Sequence, residues 1–99
     1  LAVAVLLPGL ALAQTPDGRQ IALHGNGNGA LPCAACHGVN GQGNASIGAP
    51  RLAGLPAAVI VGALQGFAKG DGGNAMMQSI ARGLSAAEMR AVGGYFSKL

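Results

Sequence analysis

With 99 residues, 18 glycines, three aromatic side chains and no tryptophan, the chain has room for one small domain and little to fill its core. Six basic residues face three acidic ones, and Arg19, Arg51, Lys69, Arg82, Arg90 and Lys98 stand singly, so the net +3 forms no stripe of the kind that binds nucleic acid. Residues 14–99 hold seventeen of the glycines, and glycine adds backbone entropy to the cost of folding; a large apolar cofactor is expected to complete the core.

Residues 1–13, LAVAVLLPGLALA, are uncharged and end in the small-x-small triplet Ala11-Leu12-Ala13. They read as the apolar region of a secretory signal peptide cut before Gln14, being shorter than the ~20 residues that span a bilayer. An uncleaved membrane anchor is the rival. No initiator Met or basic segment precedes them, so the start is expected to be truncated. The domain is then 14–99, working in the periplasm.

Thr15-Pro16-Asp17 reads as a helix start with Thr15 as N-cap, and the helix is expected to run to His24 and stop at Gly25. The glycine-rich residues 25–29 are a flexible connector, and residues 38–54 form an irregular loop of functional length. Val59, Ile60, Ala63, Leu64 and Phe67 follow helical spacing between Pro56 and Lys69. Asn74 can cap a helix through Arg82. Ser85 and Glu88 form a capping box, with Leu84 stapled onto Met89, for a last helix to about Lys98. No strand pattern occurs, and the reading is all-α.

The most specific stretch is CAACH, residues 33–37. A thiol–disulfide oxidoreductase would place Cys-x-x-Cys after a strand in a βαβ pattern, whereas a glycine loop precedes Cys33. Structural zinc needs four ligands; Cys33, Cys36, His37 and the distant His24 could supply them, but their spacing matches no usual zinc pattern. A disulfide would close too small a loop to contribute much. Covalent haem explains the spacing. Cysteines at i and i+3 share one face of a helical turn, so both thiols can add to porphyrin vinyl groups while His37 comes under the iron. Cys-x-x-Cys-His is the attachment motif of c-type haem.

With CAACHG followed by PRLAG, LQGFAKG and MMQSIARGLSAAEMRAVGGYF in that order, the chain resembles small class I c-type cytochromes. The likeness is to single-haem c553-like proteins and to one half of the two-haem cytochromes c4, over about residues 18–99. It implies a class I cytochrome c fold, four or so helices around one haem attached through Cys33 and Cys36, with His37 as one iron ligand. Met76 and Met77 lie about 100° apart on a helix, so only one can face the iron. The resemblance puts the ligand eight residues before Ser85, at Met77. Met89 reads as packing, and His24 as the solvated end of the first helix, with a second histidine ligand there as the alternative.

The resemblance also implies that the Pro50 carbonyl accepts from His37 and that Leu52 covers the haem face. Val59, Ala63, Leu64 and Phe67 are expected to line the edge, with Ile80 beside the methionine and Arg51 either at a propionate or solvated. The first and last helices are expected to cross, with Gly93-Gly94 allowing close approach to Ala22. Relatives often carry an aromatic residue at Val59 and a polar one at Leu55, so propionate contacts do not transfer to this chain.

The function implied is single-electron transfer in the periplasm by a carrier that is not an enzyme. Its partners would be redox proteins docking transiently at the haem edge near Cys33 and Cys36, with no nucleic acid, no small-molecule substrate and no membrane unless the first segment stays uncleaved. The alternatives are an electron-accepting haem module of a larger dehydrogenase or oxidase, and a haem that binds gas or peroxide.

Overall fold

The computed structural model describes residues 15–99; the segment read as a signal peptide lies outside them. Among the described residues there are five α-helices, α1 (Gly18–His24), α2 (Ala34–His37), α3 (Ala57–Ala68), α4 (Ala75–Arg82) and α5 (Ala86–Ser97). One 3-10 turn (Ala45–Ile47) and a single bridge between Asn44 and Ala49 are the other regular features. The all-α expectation holds. No helix among these residues is long and apolar enough to cross a membrane.

Local chemistry sets most helix ends. Asn74 Oδ1 accepts from the Met77 amide at 2.9 Å and starts α4. At α5 the Ser85 hydroxyl accepts from the Glu88 amide while the Glu88 carboxylate accepts from the Ser85 amide, the reciprocal pair that its sequence promised. Leu84 and Met89 flank that cap and are both buried. The start of α1 differs from the expectation. Asp17, not Thr15, is the N-cap, its Oδ1 accepting from the Gln20 amide at 3.2 Å; aspartate is the stronger cap of the two.

Along α5, Met89, Val92, Gly93 and Phe96 are buried at helical spacing, and this stripe packs against α1 and α3. α4 in turn lies on α3. Ile21, Ile60, Leu64 and Leu84 complete one core cluster with them. Phe96 and Val92 are the largest side chains sealed within it. Each such burial stabilises by about 1.5–3 kcal/mol, so the core is modest.

The helix crossing corrects the glycine assignment. A Cβ on Gly93 would meet Val61 Cγ2 at 3.0 Å and the Ala57 oxygen at 3.1 Å, so Gly93 admits α3. Gly94 has nothing within 4 Å. The contact between α1 and α5 is made by Gly18, where a Cβ would collide with the Ala91 carbonyl. Gly18→Ala is therefore expected to destabilise by about 1–3 kcal/mol. Gly94→Ala is expected to stabilise by up to about 1 kcal/mol, the helix-propensity gain. Thermal melts of the two holoproteins check this; equal shifts would contradict it.

Candidate functional site

The single turn of α2 opens on Cys33 and ends at Gly38, with the His37 amide donating to the Cys33 oxygen at 2.9 Å. That turn presents Cys33 and Cys36 one helical step apart. Both thiols are free and half-buried. Burial pushes the Cys33 thiol up from its ordinary pKa, opposite to the lowered pKa that activates redox Cys-x-x-Cys pairs. Among the described residues no group of three or more His, Cys, Asp or Glu is placed to hold a metal ion.

His37 is the one buried polar or charged side chain among the described residues. Its Nδ1 lies 2.8 Å from the Pro50 carbonyl oxygen. A carbonyl can only accept, so Nδ1 donates to it, which fixes the ring and leaves Nε2 as the nitrogen for a ligand. Among the described residues Nε2 has no hydrogen-bond partner, and no side-chain nitrogen or oxygen is both sealed and unpartnered, so Nε2 is not sealed from the surface.

Pro50 reaches His37 because the loop between α2 and α3 folds back on itself. The Gly43 amide donates to the His37 oxygen at 2.7 Å, and the Leu52 and Ala53 amides both donate to the Gly41 oxygen. Gly43 has a φ of 84°, and a Cβ there would lie 2.7 Å from the Arg51 nitrogen and 2.9 Å from the Pro50 carbonyl carbon. A side chain at 43 would push the Pro50 segment away from the imidazole. The Gly54 amide anchors the loop end to the Phe96 oxygen of α5.

Of the two neighbouring methionines, Met76 is 57% exposed, whereas Met77 is half-buried against the core cluster. α4 is held in place by its own polar side chains. Gln78 Nε2 donates to the Gly70 and Asp71 oxygens, and Arg82 Nε donates to the Ala68 oxygen at 3.2 Å. Cys33, Leu52, Leu55, Phe67 and Met77 are all partly buried against the same cluster. These partly buried side chains are the apolar rim of the core, with thiol and thioether sulfur among them. An imidazole nitrogen and a thioether sulfur are a donor pair that haem iron takes.

Of the side chains expected at the haem edge, Leu64 and Ile80 are buried in the core, Ile80 one helical step from Met77. Val59 is 54% exposed. Phe67 and Ala63 share a cavity of about 210 Å³ with Asp71 and Gly72. Arg51 is exposed and bends back, its Nε donating to the Ala53 oxygen at 3.3 Å. His24 is exposed at the end of α1. The supporting residues Gly43, Gln78 and Arg82 carried no sequence signal, because their partners lie in other segments.

The cytochrome c family model matches residues 26–99. The chain is 49% identical over 70 residues to the thiosulfate dehydrogenase electron acceptor of Thiomonas intermedia, covering 71% of this chain and 32% of that protein. It superposes on cytochrome c4 of Acidithiobacillus ferrooxidans with a TM-score of 0.77 at 36% identity, covering 83% of this chain and 48% of the other. It superposes on a thiosulfate dehydrogenase from Marichromatium purpuratum with a TM-score of 0.78 at 34% identity, covering 83% and 18%. The chain spans less than half the length of each of these relatives.

Proposed function

The chain belongs to the cytochrome c family, and on that premise we propose that it carries one haem c, which Cys33 and Cys36 would hold covalently and His37 and Met77 would bind at the iron. When bound, that haem supplies a one-electron ferrous/ferric couple. The observation that carries the reading is the His37 arrangement: a buried imidazole oriented by the Pro50 carbonyl through Nδ1, which leaves Nε2 for a ligand.

The chain's own groups set the properties of that couple. The Pro50 carbonyl fixes the ring plane of His37 and raises its basicity. Bound at the iron, the Met77 thioether would favour the ferrous state and raise the potential. Leu52 and Leu55 keep water from the rim, and a dry surround moves the couple further. Cys33 and Cys36 hold the cofactor by carbon–sulfur bonds, which suits a periplasmic protein that cannot reload a lost haem. No step requires a proton or a substrate at the protein, so the chain acts as a carrier.

A dehydrogenase donor is the more specific form of this reading. The Thiomonas relative is named for accepting electrons from thiosulfate dehydrogenase, and a solved thiosulfate dehydrogenase contains a similar domain. On this basis the protein accepts electrons from a dehydrogenase of that kind in the periplasm, through a small transient contact at the haem edge. Ferric holoprotein mixed with a thiosulfate dehydrogenase and thiosulfate is expected to become ferrous, seen as the sharpened visible bands of reduced haem c. Thiosulfate alone is expected to leave it ferric. Holoprotein that stays oxidised with the complete system, yet is reduced by dithionite, would rule out that donor.

A further inference from the structure

We propose that Asn26 is a positioning residue that latches the loop ahead of Cys33 onto the corner between α4 and α5, and so keeps the Met77 sulfur on the iron; this rests on the ligation proposed above. Residues 25–29 read in sequence as a flexible connector, but Asn26 is half-buried and uses its whole amide. Its Oδ1 accepts from the backbone amides of Asn28 at 2.9 Å and Ala30 at 3.1 Å, which shapes the loop. Its Nδ2 donates to the Gly83 oxygen at 2.6 Å and to the Glu88 carboxylate at 3.2 and 3.3 Å.

These partners are not arbitrary. Gly83 ends α4, the helix that carries Met77, and Glu88 closes the N-cap of α5. One side chain therefore ties three backbone segments together. A second observation marks the same junction from the other side. A Cβ on Gly83 would lie 2.6 Å from the Ala30 nitrogen and 2.7 Å from the Gly29 carbonyl carbon, so the two backbones touch with no side chain between them.

The junction lies a few residues from each half of the coordinating set. Ala30, buried at its edge, is followed closely by Cys33. From Gly83 the rigid α4 leads back to Met77. Gln78 and Arg82 fasten α4 to α3 and its following turn, but they do not reach the loop before α2. The latch is thus the direct polar link between the end of the methionine helix and the segment that enters the attachment turn. Without it α4 stays helical and can shift relative to α2, and a ligand site tolerates little displacement.

Two variants test this. Asn26→Asp keeps an acceptor for the loop amides but cannot donate to Gly83, and it sets a carboxylate against Glu88. Gly83→Ala forces the two backbones apart. In ferric holoprotein, imidazole would be titrated against the long-wavelength absorption of methionine–sulfur ligation, with haem content and thermal melting measured alongside. Both variants are expected to retain covalent haem and to bind imidazole roughly tenfold more tightly, the scale of one lost charge-assisted hydrogen bond. Variants that melt lower but bind imidazole as the wild type does would reduce Asn26 to a structural role and overturn the latch. Wild-type protein lacking the methionine absorption would instead defeat the ligation reading, and the latch with it.

Discussion

Met77→Ala holoprotein is expected to lose the methionine–sulfur charge-transfer absorption, to bind carbon monoxide rapidly when ferrous, and to fall in reduction potential by on the order of a tenth to a few tenths of a volt. That fall is a fraction of the ~0.8 V over which axial ligands tune haem. The sign follows from the thioether, which favours ferrous iron. Met76→Ala is the control: its side chain is 57% exposed, while Met77 packs on the core, so all three properties should stay near wild type. The reverse pattern would move the ligand to Met76. Wild-type protein that already binds carbon monoxide freely would favour the gas-binding alternative over the carrier.

Replacing both Cys33 and Cys36 by alanine is expected to give a chain that loses most of its helix and melts without cooperativity. The cause is the size of the core. Among the described residues only Phe96 and Val92 are large and sealed, and Leu52, Leu55, Phe67 and Met77 at the rim are left half-buried. Glycine raises the entropy that this core must offset. α4, at eight residues, and α2, at four, are too short to persist alone in water. Far-ultraviolet circular dichroism of the variant checks this. A fully helical, cooperatively melting apo-chain would show that the polypeptide closes its own core.

What could be read before the structure was local. The caps of α4 and α5 were legible because Asn74, Ser85 and Glu88 act within one turn of themselves. The attachment turn was legible for the same reason, five consecutive residues carrying the whole motif. The start of α1 slipped from Thr15 to Asp17 because two competent caps stand close together and only the geometry of the Gln20 amide separates them.

The long-range features were not legible. Two adjacent glycines in α5 announce a flat helix face, but not which neighbour lies on it. The structure gives Gly93 to α3, and gives the crossing with α1 to Gly18, outside α5 altogether. Asn26 is the extreme case. Its decisive partners lie 57 and 62 residues away, inside a stretch whose composition suggests only slack. The loop that brings Pro50 to His37 likewise has no period, being held by single amides from Gly43, Leu52 and Ala53.

The intact mass of denatured holoprotein after exposure to a thiol-alkylating reagent tests the central claim most directly. The expected result is the polypeptide mass plus one haem and no alkyl group added, both sulfurs being bound as thioethers. A colourless polypeptide carrying two alkyl groups and no haem would contradict it.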